Sequence, residues 1–164
     1  MTFNQFETRY KPRECCCFTG HRAIAEDAVE DLKLRLTAEL ENLINRGVLV
    51  FIAGGALGFD TIAAQSVLAL KGKYPFIKLV LALPCENQAE RWSAQNKKVY
   101  DDILRQGDLV HYVNRNYKQD CMFDRNDYMV EYAAYCICYL RKHGGGTAYT
   151  VGYAKRMGRQ LIML

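Results

Sequence analysis

The sequence predicts a single α/β domain built on a doubly wound, mainly parallel sheet with helices on both faces. Three observations predict it. Apolar runs of strand length alternate with segments of helical period along almost the whole chain, the pattern of strand–helix–strand units. The links between them are short, so successive strands pair in parallel through right-handed crossovers. The run Val48 to Ala53 is apolar at every position, as a strand covered on both sides must be.

Residues 1–14 are polar and read as an N-terminal extension to a domain over residues 15–164. Cys15 to Phe18 is the first predicted strand and ends in Thr19-Gly20-His21-Arg22. The next helix has Glu26 and Asp27 in its first turn, where the dipole favours acids, and an apolar stripe of Val29, Leu32, Leu36, Leu40, Leu43 and Ile44. Gly47 caps its C-terminus. The strand Val48 to Ala53 runs into Gly54-Gly55-Ala56-Leu57-Gly58-Phe59-Asp60 and a helix that closes near Gly72. Lys78 to Leu83 is the third strand, stopped by Pro84. A helix from about Ala89 to Arg105, with Trp92, Val99 and Ile103 on one face, leads to a fourth strand, Asp108 to Val113. A helix around Phe123 to Ala134 precedes the fifth, Tyr135 to Leu140. Gly144-Gly145-Gly146-Thr147 opens onto a last helix, Tyr149 to Met157, and Gln160 to Leu164 is the sixth strand.

A chain of 164 residues is long enough for one real core and carries no linker or repeat that would divide it. The net charge of +4 permits an anionic ligand without demanding nucleic acid, and no block of Lys and Arg is present. The seven cysteines include no C-x-x-C pair, so no metal site is predicted, and they read as small buried hydrophobes. An odd cysteine count without a secretory signal implies a cytoplasmic protein. No apolar segment is long enough to span a bilayer.

In sheets of this kind ligands bind outside the C-terminal ends of the strands, at the topological switch point. That rule gathers Thr19, Gly20, His21 and Arg22, then Gly54, Gly55, Gly58 and Asp60, then Glu86, then Gly145, Gly146 and Thr147 on one rim. Glycine turns present backbone N–H groups, and the helices they open add the positive ends of their dipoles, which suits a phosphate. Arg22 can meet phosphate oxygens bidentately, and Thr147 can donate its hydroxyl. Asp60 would repel a phosphate beside it; it caps its helix or accepts from ribose hydroxyls, and composition favours the cap. Arg22 has a competing partner in Glu26. His111 reads as structural and Trp92 as helix packing. A dinucleotide fingerprint, a P-loop and a G-x-S-x-G elbow are all absent.

Taken together, Phe18-Thr19-Gly20-His21-Arg22, the Gly54 to Asp60 run, Leu83-Pro84 with Gln88 and Trp92, Arg125-Asn126 with Met129-Val130, and Gly145-Gly146-Thr147 with Tyr153-Ala154-Lys155 resemble the YpsA-type branch of the SLOG superfamily. The resemblance runs from about Cys15 to Leu164. It implies a Rossmann-like fold with a pocket for a nucleotide-derived ligand such as ADP-ribose, and it adds Arg125 and Asn126 to the ligand-binding set. Lonely-Guy phosphoribohydrolases and the single-strand-binding DNA-processing protein A family are superfamily relatives. The glutamate pair of the Lonely-Guy enzymes has no counterpart here, because Thr147 is followed by Ala148, Tyr149 and Thr150.

Three functions follow in order of expectation. The first is a binding protein, sensor or regulator for a nucleotide, NAD-like or nucleotide-sugar ligand, with no other cofactor. It is expected to form a homodimer through an apolar helix face such as Met122, Phe123 and Met129. The second is a hydrolase for an N-glycosidic or phosphoester bond, with Asp60 and Glu86 as candidate catalytic carboxylates. The third is single-stranded nucleic-acid binding, ranked last because the charge gives it no push.

Overall fold

The computed structural model describes residues 1–164. Its strands are β1 (Cys15–Gly20), β2 (Val50–Ala53), β3 (Lys78–Leu83), β4 (Leu109–Tyr112), β5 (Tyr135–Tyr139) and β6 (Gln160–Met163). Its helices are α1 (Phe3–Arg9), α2 (Val29–Asn45), α3 (Phe59–Leu70), α4 (Ala94–Gln106), α5 (Cys121–Tyr132) and α6 (Gly145–Arg156). The strands form one sheet in the order β4-β3-β2-β1-β5-β6, and every pairing is parallel. The fold is a doubly wound α/β, Rossmann-like arrangement.

Strand periodicity sorts the side chains. Cys16, Phe18, Phe51, Leu79, Leu81 and Leu83 pack under α2, α3 and α4. Their neighbours Cys15, Cys17, Val50, Ile52, Val80, Cys136 and Cys138 pack under α1, α5 and α6. Each fully buried leucine or phenylalanine contributes roughly 1.5–3 kcal/mol. The cysteines are free and buried, and burial pushes the Cys15 thiol up to about 12. At that value the Cys15 thiol stays protonated and inert.

Residues 1–14 hold α1, opened by a reciprocal Thr2–Gln5 capping box. Phe6 and Tyr10 bury against the α5 side of the sheet, so this mostly polar stretch still completes one face. Several helix starts differ from the sequence expectation: Glu26 and Asp27 fall in a short 3-10 turn ahead of α2, and α5 opens at Cys121. The turn-rich stretch after Pro84 delays α4 to Ala94, where Ser93 accepts the Asn96 N–H. In contrast, α6 starts early, at Gly145, although propensity would exclude the glycines of its first turn.

The path of the chain creates the site. From β1 the strands step outward to β4; α5 then returns the chain to the opposite side of β1, where β5 and β6 follow. Direction reverses between β1 and β5, so the loops leaving those two strands part and open a crevice.

Candidate functional site

A cavity of about 610 Å³ fills that crevice. The loop after β1 supplies Thr19, Gly20, His21, Arg22 and Ala23; the loop after β5 and the start of α6 supply Arg141, Lys142 and Gly144 to Thr147. α5 covers one side with Met122, Arg125, Asn126 and Met129, and Ala56 and Asp60 close the floor. Asp60 is the one acid among these lining residues, against Arg22, Arg125, Arg141 and Lys142.

The two glycine turns play different parts. At the head of α6, Gly144 and Gly145 have φ of +85° and +82°, a left-handed pair that side-chain-bearing residues resist. The turn is exposed, no side chain caps it, and Gly145, Gly146 and Thr147 line the cavity. Helix N–H groups without an internal partner therefore face an open, cation-rimmed space. The turn before α3 is occupied by the protein itself. Asp60 accepts the Ala56 N–H at 3.2 Å, and the His21 carbonyl accepts the Phe59 N–H at 3.0 Å.

Asp60 and Arg125 are both buried, at 6% and 4% exposure, and face each other across Gly54. Arg125 donates to the Gly54 carbonyl, to Asn126 Oδ1 at 2.7 Å and to the Met122 thioether at 3.8 Å. Burial lowers the guanidinium from its ordinary value and Asp60 opposes that shift. Burial pushes the Asp60 carboxyl up, while Arg125, the Ala56 N–H and Arg22 pull it back in part. The floor is thus close to neutral as a pair, and the remaining cations, Arg22, Arg141 and Lys142, sit at the rim, with the Arg141 guanidinium also donating to the Leu164 carbonyl at 2.7 Å and lying over the Tyr139 ring. One of them is held in place by a histidine. His21 Nε2 accepts the backbone N–H of Arg141 at 2.8 Å, and burial, Lys142 and Arg141 lower the His21 pKa, which favours the neutral imidazole this acceptor needs.

Of the residues predicted to bind ligand, the fold brings Thr19, Gly20, His21, Arg22, Asp60, Arg125, Asn126, Gly145, Gly146 and Thr147 to the one cavity. It leaves out Gly54, Gly55, Gly58 and Glu86. Gly54 lies behind the Arg125–Asp60 pair, and Gly55 lines a crevice of about 30 Å³ between α3 and α4. Gly58 packs on the Arg22 backbone. Glu86 is exposed in the loop after β3, so Asp60 and Glu86 do not form a carboxylate pair. In the apolar face proposed for pairing, Met129 is buried and Met122 lines the cavity, which leaves Phe123 exposed. Arg141 and Lys142 escaped the sequence reading, although two basic residues just before a glycine turn were a visible signal. No group of three His, Cys, Asp or Glu side chains could hold a metal ion. No helix is long and apolar enough to cross a membrane.

Residues 7–161 match the family described as the YspA SLOG family. A UPF0398 protein of Bacillus pumilus (strain SAFR-032) is 32% identical over 159 residues, covering 95% of this chain and 83% of that protein. The SPbeta prophage-derived protein YoqJ of Bacillus subtilis (strain 168) is 32% identical over 148 residues, 81% of this chain and 86% of its own length. Among solved structures, DNA processing protein A (DprA) from Streptococcus pneumoniae superposes with a TM-score of 0.70 at 20% identity, and that from Helicobacter pylori with 0.67 at 18%. Both cover nearly all of this chain, 99% and 98%, yet the chain spans about half of the first (52%) and 67% of the second. At such identity the likeness is one of fold.

Proposed function

The chain belongs to the YspA SLOG family, and from that premise we propose that it binds a nucleotide-type phosphate in the crevice between β1 and β5. One observation carries the reading: the uncapped first turn of α6 opens into a cavity whose rim holds Arg22, Arg141 and Lys142. The phosphate lies on the N–H groups of Gly145, Gly146 and Thr147, with the rim cations around it. Thr19, Asn126 and Asp60 face the rest of the ligand, and an acceptor such as Asp60 favours sugar hydroxyls or amino groups over further phosphate. ADP-ribose, NAD-like compounds and nucleotide sugars have this make-up. A cavity of about 610 Å³ suits a ligand of that size. The role is that of a sensor or regulator. A homodimer and a cytoplasmic setting belong to the same proposal, the latter supported by seven free thiols.

A second reading is a nucleotide unit within a single DNA strand. The Helicobacter pylori neighbour, whose structure concerns its single-stranded DNA binding mode, favours it. That raises nucleic acid above the rank the mild charge gave it.

Thermal unfolding against AMP, ADP, ATP, GTP, NAD, ADP-ribose, ribose 5-phosphate and an oligothymidylate separates these readings. A ligand at roughly 100-fold its Kd adds about 2.7 kcal/mol. For a chain of this size that raises the midpoint by roughly 5–10 °C. A rise with a small nucleotide supports the first reading, a rise with the oligomer alone supports the second, and no rise with any compound contradicts both.

A further inference from the structure

Between α5 and α6, the two helices that flank the cavity, stands an exposed aromatic step that the phosphate reading does not use. Phe123 is 41% exposed and Tyr149 is 37% exposed. Their ring centroids are 4.8 Å apart at 82°, and Tyr153 continues the series, parallel to Tyr149 at 6.4 Å. The rings stand outside the cavity lining but on the two helices that flank it: Met122, beside Phe123 in sequence, lines the cavity, and so does Gly145, four residues before Tyr149. Those four residues are an axial step of about 6 Å, and a nucleotide's base stands at a comparable reach from its phosphate. The Tyr149 hydroxyl donates to Asp127 at 3.3 Å, which restrains the ring.

Resting on the reading of the cavity given above, we propose that Phe123 and Tyr149 form a stacking step for the base of a free nucleotide whose phosphate lies on the first turn of α6. Every nucleobase has a π-face, so a step of this kind recognises the class without naming the base. Charge decides between a free nucleotide and a strand. Past the rings, α5 and its N-cap carry Asp120, Asp124, Asp127 and Glu131, spaced along one helical side. Lys118 pairs with Asp124 and Arg156 lies over Tyr153, and these two cations answer only part of that charge. A second phosphate carried along this groove would meet carboxylates, whereas Arg22, Arg141 and Lys142 lie on the loops after β1 and β5, within the cavity lining. The step accepts one base and repels the next phosphate.

Calorimetric titration of AMP and of ribose 5-phosphate into the wild type and three variants tests this. AMP is expected to bind tighter than ribose 5-phosphate by roughly tenfold or more, the scale of base–aromatic stacking. Phe123→Ala and Tyr149→Ala should erase that advantage and leave ribose 5-phosphate affinity unchanged, and both positions are exposed enough to be replaced without unfolding the chain. Tyr149→Phe keeps the ring and should keep the advantage. Equal affinities in the wild type, or an advantage that survives both alanine variants, overturns the stacking step while sparing the cavity. Failure of both compounds to bind overturns the cavity reading and the step with it. An oligothymidylate whose binding is lost in the same variants would assign the rings to a strand. A change in sedimentation with Phe123→Ala would assign them to contact between copies of the chain. Either result overturns the proposal.

Discussion

An alanine at Gly54 would set its Cβ 2.5 Å from Arg125 Nη1 and 2.7 Å from Asp60 Oδ2. Neither side chain can retreat easily, since Arg125 is tied to the Gly54 carbonyl and Asn126, and Asp60 to the Ala56 N–H. Gly54→Ala is expected to cost about 1–3 kcal/mol, the scale of overpacking, read as a lower denaturation midpoint at unchanged m. Arg125→Met should cost about 3 kcal/mol near neutral pH, because it leaves a buried carboxyl without its cation. The pH dependence has a definite sign. The Asp60 pKa is already raised in the folded state by burial, and loss of Arg125 raises it further. Stability tied to the protonated carboxyl is fully present below the ordinary value of 3.8 and is lost as pH rises through the folded value. The gap between variant and wild type should therefore be smallest in acid and widen toward neutrality in urea melts. The sequence pointed to Asp60 as a helix-turn carboxyl and to Arg125 as a family motif residue. Their apposition across Gly54 was not legible, because it exists only after α5 has returned across the sheet.

At the scale of elements, the clip at the start of β4 makes a second stability prediction. Asp108 meets Lys71 Nζ at 2.6 Å and Lys78 Nζ at 3.5 Å, and it accepts the Leu79 N–H at 2.8 Å. It thereby joins the end of α3 and the start of β3 to the start of β4, an edge strand with one partner. Burial works to raise this carboxyl, but Lys71, the Leu79 N–H and Lys78 together hold it below its ordinary value. Its contribution is present above the ordinary 3.8 and is lost as pH falls through the lower folded value. Asp108→Asn should cost about 2 kcal/mol at neutral pH, the scale of charged hydrogen bonds, and its deficit should shrink in acid. Elements whose signal is local were legible: Lys78–Leu83 is β3 at both ends, because a uniformly apolar core follows Lys78 and Pro84 stops it. Where local signals conflicted, the boundary moved. The first turn of α6 is helical despite Gly145 and Gly146, since the packing of Thr150, Val151 and Ala154 against the sheet holds the helix that follows.

For the whole molecule, strand alternation was enough to foresee a parallel doubly wound sheet, and the switch-point rule gathered the β1 and α6 parts of the cavity lining, while Arg125 and Asn126 came from the family resemblance. Sequence alone did not distinguish the two glycine turns. Both follow apolar strands and open helices, but only in three dimensions does the α3 turn have its N–H groups met by Asp60 and His21. The α6 turn stays open beside Arg141 and Lys142, residues whose place on the rim depends on β5 lying next to β1. Backbone amide NMR during a titration with AMP tests that distinction most directly. The largest shifts are expected on Gly145, Gly146 and Thr147, with smaller ones at Arg22 and Arg141 and little change from Gly54 to Gly58. Shifts centred on the Gly54 to Gly58 turn, or none at the head of α6, would contradict it.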